Sequence, residues 1–251
     1  MMVTRRMMLV IHATLLMLAG GAASAATHPD FSGLWQVADP GLIVRPDFSA
    51  TEADYIPEAW ARLQDYRRNW EPNGDDPAKF CVRYGMPFTQ AIRARDYLAD
   101  VQQTSKRVTV LFEYMDSHRV IHFDRGSPPE SATESNEGYS IGRWQGDSLM
   151  VTTTLLKARS PIGPVQRSDR ARIDERWRLR DDPVFGEVLD IDMTIVDPLV
   201  FRRPMSARQV YKRAPTDATL NEYACTDAFW DDHVTVRRAE REAIPDSTGR
   251  P

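Results

Sequence analysis

Alternation governs most of this chain. From Tyr97 onward, apolar and polar residues exchange at every second position through the runs 97–103, 107–115, 118–124, 139–145, 148–156, 169–180, 187–197 and 205–214. Several runs are separated by only a few turn-forming residues, such as Asp116-Ser117, Gly146-Asp147 and 181–186. A two-residue period places successive side chains on opposite faces of a strand, and short reversals make neighbouring strands antiparallel. The clearest case is Ile141 to Thr154, where Gly146-Asp147 reverses the chain between Trp144 and the β-branched run ending in Thr152, Thr153 and Thr154. Phe31 to Val37 adds a further strand near the start. About nine strands joined in this way close into a barrel or split into a sandwich. The absence of any strand–helix alternation excludes a doubly wound α/β sheet.

Two segments carry helical spacing instead. Residues 51–68 place Tyr55, Ala59, Leu63 and Tyr66 on one side, and 219–242 read as an increasingly charged amphipathic helix. The stretches 69–79, 125–138 and 157–168 are rich in Pro, Gly, Ser or Glu and read as loops.

Residues 1–25 have the form of an export signal: Arg5 and Arg6, the short apolar core Met7 to Leu18, then Ala23-Ser24-Ala25. That core is shorter than the ~18 apolar residues expected of a membrane span, so no stable span is expected after cleavage. Thr4 to Leu9 also resembles a twin-arginine signal, which leaves the export route open. Removing Arg5 and Arg6 from the 32 basic residues leaves 30 against 36 acidic ones, a formal charge of −6. An acidic exported chain of this kind is not a nucleic-acid binder, which would show a net basic face. The expected organisation is a signal peptide at 1–25, a barrel domain at 26–216 with a helical insertion at about 51–68, and a C-terminal helix and tail at 217–251. In an oxidising compartment Cys81 and Cys225, the only two cysteines, are expected to pair as a disulfide, the alternative being a catalytic thiol served by His122 or His233. Chain entropy sets an upper limit of ~4–5 kcal/mol on what such a long closed loop contributes.

Closure of the sheet has a specific pointer. Gly33-Leu34-Trp35 lies on the first strand and Tyr211-Lys212-Arg213 on the last. This resembles the lipocalin and wider calycin pattern, in which a Gly-x-Trp packs beneath an arginine from the final strand. The resemblance implies an up-and-down antiparallel barrel plugged at one end by a guanidinium stacked on an indole. The hairpin from Gly142 to Thr154 is similar to that of a largely uncharacterised family of secreted bacterial proteins, whose hallmark reads Gly-Arg-Trp-Glu-Gly-Asp-Thr-Leu-Val-Val-Asp-Thr-Thr. Gly85-Met86-Pro87, Glu175-Arg176-Trp177, Thr194 to Pro198 and Glu222 to Cys225 extend the likeness. Gln145 and Thr152 each stand where the hallmark has an acid. The family implies secretion and no particular reaction.

Candidate chemistry gathers on a few strands. In 172–180, Ile173, Glu175, Trp177 and Leu179 share one face, and the arginines share the other. Glu175 is therefore expected inside, where a carboxylate needs a partner or has its pKa raised. Arg143, in phase with Tyr139 and Ile141, is the expected partner, and Tyr211 is expected to face the same cavity. Asp190 and Asp192 read as the solvated face of their strand. His122 and Asp124 share a face at i, i+2, but no zinc-ligand spacing appears and no metal or cofactor is expected. Gly138-Tyr-Ser140-Ile-Gly142 matches the nucleophile elbow of α/β-hydrolases, with Asp190 and His233 following in order, but a strand follows it where that elbow needs a helix.

These residues support a lipocalin-like protein, periplasmic or secreted, that holds a small apolar or aromatic molecule against Tyr139, Arg143, Glu175, Trp177 and Tyr211. The same set would serve a cofactor-free lyase or isomerase, with Glu175 moving a proton and Arg143 or Tyr211 stabilising an enolate or phenolate. A structural envelope protein with a filled barrel and a Ser140 hydrolase are the remaining readings. Oligomeric state is not legible.

Overall fold

The computed structural model describes residues 28–39, 50–69, 80–91, 97–162, 165–223, 225 and 234–239. The expected signal segment and His233 lie outside them. Nine strands form a closed, lipocalin-like barrel in the ring order β1-β2-β3-β4-β5-β6-β9-β10-β11 and back to β1. They are β1 (Gly33–Val37), β2 (Leu98–Gln103), β3 (Arg107–Phe112), β4 (Ser117–His122), β5 (Tyr139–Gln145), β6 (Ser148–Thr154), β9 (Arg172–Asp182), β10 (Gly186–Val196) and β11 (Met205–Arg213). Each neighbouring pair is antiparallel except β4 and β5, which run parallel over two register pairs, Ile121 with Ser140 and His122 with Ile141. A separate hairpin, β7 (Arg159–Ile162) and β8 (Val165–Arg167), occupies part of the Pro- and Gly-containing stretch expected as loop.

Alternation fills the interior. Trp35, Val101, Val110, Ile121, Leu149, Val151, Ile173, Trp177, Ile191, Met193 and Ala207 are buried and belong to one core cluster. The reversals β2–β3, β5–β6 and β9–β10 gather at one end of the barrel, the β1–β2, β3–β4, β6–β9 and β10–β11 connections gather at the other, and residues 123–138 run between the two.

The short-turn end is sealed by aromatic packing. Phe31 lies 5.5 Å from Trp144 and 6.0 Å from Trp177, and His28 stacks on Trp144 at 4.4 Å. The Arg213 guanidinium sits 3.9 Å from the centroid of the fully buried Trp35 ring, while Trp35 Nε1 donates to the Phe31 carbonyl at 2.8 Å. Gly33 permits this stack. Its φ is +129°, and a Cβ there would stand 2.6 Å from Arg213 Nη1.

At the long-loop end, helix α1 (Pro57–Asn69) buries Ala59 and Leu63. It begins after a short 3-10 turn at Glu52–Asp54, so the expected helical insertion over 51–68 is divided near Pro57, whose fixed φ suits a helix start. Gln166 of β8 anchors to it, donating to the Ala59 carbonyl and accepting from Arg62. The helix expected over 219–242 does not start at 219. Residues 219–223 are irregular and dock on the barrel, where Asn221 donates twice to Glu113 Oε1 and the Tyr223 amide donates to Asp116. Helix is present at 234–239, which is exposed. Cys81 and Cys225 form the disulfide, with Cα atoms 5.8 Å apart across a separation of 144 residues.

On the outer wall, Asp190 departs from its expected solvation. Its side chain is fully buried beneath Arg178, Arg180 and Arg208, which donate to its two oxygens at 2.7–3.0 Å. Arginine stems cover the carboxylate while their head groups reach water. Burial pushes the Asp190 pKa up, but the three guanidiniums win and hold it at about 2. Asp192, one register pair further on, stays half-exposed.

Candidate functional site

Glu175 points into the barrel, as the alternation of β9 requires, and is 1% exposed. Its partner is Arg119 of β4. Arg119 Nη1 donates to Glu175 Oε1 at 3.0 Å, and Nη2 donates to Oε2 in a short, parallel contact. The same guanidinium reaches Ser140 Oγ through Nε at 3.0 Å and Thr153 Oγ1 through Nη2 at 2.7 Å. Register explains the convergence: Ile121 faces Ser140, Ser140 faces Thr153, and Val151 faces Glu175, so β4, β5, β6 and β9 bring these groups to one level.

Arg143, the expected partner of Glu175, is exposed on the outer wall, and Tyr139 shares that outward phase. The apolar residues Tyr139 and Ile141 suggested the wrong inner face. The inward residues of β5 are Ser140, Gly142 and, at the sealed end, Trp144; a Cβ on Gly142 would stand 2.8 Å from Ile121 Cγ2 and 2.9 Å from the Phe123 ring. Tyr139 stacks instead on His122, with ring centroids 4.8 Å apart. Arg119 was legible in principle, since it shares its phase on β4 with Ile121.

A segment outside the strand pattern completes the layer. Residues 85–91 are buried and reach into the barrel. Gln90, 1% exposed, accepts from Arg119 Nη1 at 3.4 Å and donates through Nε2 to the Tyr211 hydroxyl at 3.3 Å. Tyr211 in turn donates to the Gln90 carbonyl at 2.9 Å. Tyr211 therefore does face inward as expected, and burial raises its pKa, which keeps it neutral.

A second interior row is not satisfied in this way. Trp177, Ile191 and Gln209 face one another across β9, β10 and β11. All three are fully buried, and among the described residues neither Trp177 Nε1 nor either heteroatom of the Gln209 amide has a hydrogen-bond partner. Gln209 was not anticipated, although its phase with Ala207 and Tyr211 placed it inside.

Ser140 is buried within β5, and its hydroxyl is engaged by Arg119 and Thr153. Asp190 lies on the other side of the barrel wall. The strained strand-to-helix turn of a nucleophile elbow is absent at Ser140. His122 and Asp124 lie instead on an open cleft of about 500 Å³ at the short-turn end, beside Lys106, Arg107 and Arg125. Burial and the nearby Arg125 lower the His122 pKa. Among the described residues, no group of three or more His, Cys, Asp or Glu side chains is placed to hold a metal ion.

Comparison of the chain with models of known families and with curated proteins finds no match, so its chemistry is argued from these residues alone.

Proposed function

We propose that this is an exported small-molecule-binding barrel whose ligand lies against Trp177 and Gln209. The observation that carries the reading is the Gln209 amide, buried without a donor or acceptor among the described residues, as is the indole N–H of Trp177. Leaving a buried polar group unpaired costs about 1–3 kcal/mol, and an incoming ligand with one donor and one acceptor recovers it. Phe31, Leu149, Trp177 and Ile191 surround such a molecule with apolar and aromatic surface, which suits a flat, largely apolar ligand. The Arg119–Glu175 layer bounds the site and fixes its walls.

An acid–base role for the same layer is less well supported. Both oxygens of Glu175 are already engaged by one guanidinium, and burial holds the Tyr211 hydroxyl neutral. Export is supported by the signal-like residues 1–25, by the likeness of the hairpin to secreted proteins, and by the disulfide, which suits an oxidising compartment. No helix among the described residues is long and apolar enough to cross a membrane.

Native mass spectrometry of protein recovered from the periplasm tests the reading. A co-purifying small organic molecule is expected, together with its loss in Gln209→Leu. Wild-type protein that carries no molecule, and whose thermal midpoint is unmoved by a panel of small aromatic compounds, would overturn it. N-terminal sequencing of the same material is expected to begin at Ala26.

A further inference from the structure

A different set of unsatisfied groups lies at the long-loop end. Arg167, which closes β8, is 5% exposed. Its Nε donates to the Lys157 carbonyl at 2.8 Å, and its Nη1 donates to the carbonyls of Tyr84 at 3.2 Å and Met86 at 2.5 Å. Its Nη2 is buried and donates to nothing among the described residues. Arg159 is its register partner on β7, with Nη2 donating to Asn136 Oδ1 at 2.5 Å and Nε buried without an acceptor. Glu137 follows Asn136. One of its oxygens accepts from Thr89 Oγ1 at 3.1 Å, and the other is buried and unpartnered.

We infer that Arg167, Arg159 and Glu137 form a binding site for the carboxylate of a small organic acid. Among the described residues neither guanidinium has a carboxylate oxygen within ion-pair distance, and Glu137 and Asp197 act on them only from further off; each keeps a buried N–H without an acceptor, a costly arrangement that an anion relieves. Arg167 Nη2 and Arg159 Nε supply one donor to each oxygen of a bound carboxylate. When protonated, Glu137 adds a third donor from its second oxygen, which is buried without a partner among the described residues. Burial raises the Glu137 pKa against the opposing pull of Thr89 and of the charges on Arg119, Arg167, Arg83 and Arg159. Burial and the Arg159 charge bring Arg167 down to about 10, still cationic at neutral pH. Two donors match the two oxygens of a singly charged carboxylate, whereas a phosphate dianion brings a second charge and further oxygens that they leave unpaired. The site rests on residues separate from Trp177 and Gln209, so neither reading depends on the other.

The test is titration of the full exported protein with benzoate, acetate and inorganic phosphate at constant ionic strength, with chloride as the control. Wild-type protein is expected to bind a carboxylate in preference to phosphate and chloride. Binding is expected to weaken as pH rises through the titration of Glu137, because the ionised side chain repels the ligand. Arg159→Gln is expected to lose tenfold or more in affinity. Glu137→Gln keeps a neutral donor in place and is expected to bind without the loss of affinity that rising pH causes in wild-type protein. Arg167 is left intact because it also ties three backbone carbonyls. Equal binding of carboxylate by wild-type and Arg159→Gln protein would overturn the site, as would binding of phosphate without binding of carboxylate. A pH profile unchanged by Glu137→Gln would remove Glu137 from it.

Discussion

The two ends of the barrel handle charge in opposite ways. At the short-turn end Arg213 is answered several times over: its ring face by Trp35, its Nη1 by the Ser32 carbonyl at 2.7 Å, and its Nε and Nη2 by Glu187. At the long-loop end Arg167 and Arg159 are held by backbone carbonyls and one amide oxygen, and each keeps an N–H in reserve. Satisfied groups make a rigid closure, whereas unsatisfied buried ones retain affinity for something absent. The contrast separates an arginine with every donor answered from two that keep buried, unpaired N–H groups among the described residues.

The sharpest way to break that contrast is at the plug. Trp35→Ala is expected to lower unfolding stability by ~3–5 kcal/mol in urea titration, with no specific effect on carboxylate binding in the folded fraction. Next comes Glu175→Gln, which leaves Arg119 buried and short of its counter-charge, with an expected loss of about 3 kcal/mol. Pairing it with Arg119→Met is expected to recover most of that loss, and failure to do so would show that the Ser140, Thr153 and Gln90 contacts matter more than the charge. On the outer wall, Asp190→Asn weakens four charged hydrogen bonds from three guanidiniums, each worth ~1.5–3 kcal/mol when removed alone, and a net loss of about 2 kcal/mol is expected.

Acid titration of wild-type protein tests the same carboxylate. The folded pKa of Asp190, about 2, lies below its ordinary value of 3.8, so its stabilisation is complete above the ordinary value and fades as pH falls from 3.8 towards 2. Glu137 has the opposite sign. Its raised pKa stabilises the fold below its ordinary value of 4.5, and that contribution is lost as pH rises through the folded value. The smallest expected effect is a gain: Gln209→Leu removes an unpaired amide and is expected to raise stability by about 1 kcal/mol. A loss of that size would mean the amide has a partner, such as a fixed water.

The barrel was legible because alternation and short turns are local signals, and the inward phase of Glu175, Trp177 and Tyr211 followed from them. Tyr139 and Arg143 were misplaced because β5 carries Tyr139 and Ile141 outward, where Tyr139 has His122 to stack upon. Short of Trp144, the inner face of that strand is written in Ser140 and Gly142, which hydropathy does not mark. Gln90 was invisible for another reason. It belongs to no periodic element, and only the closed barrel gives a loop residue something to reach into. Arg159 and Arg167 lie on a short hairpin within a Pro- and Gly-containing stretch, where sequence pattern favours a loop.

A ring of nine strands cannot alternate up and down all the way round, just as a necklace of nine beads in two colours must set two like beads side by side. The place where this happens is between β4 and β5, and the ladder there has only two register pairs. The bond from Arg119 Nε to Ser140 Oγ crosses that seam from the inside, so the buried polar layer also acts as a stitch. Parity has a second effect. Two strands pointing the same way need a connector that travels the full height of the wall, and residues 123–138 make that journey. They deliver Asn136 and Glu137 to the far rim, beside Arg159 and Arg167. An odd count of strands thus sets down the acid beside the two arginines.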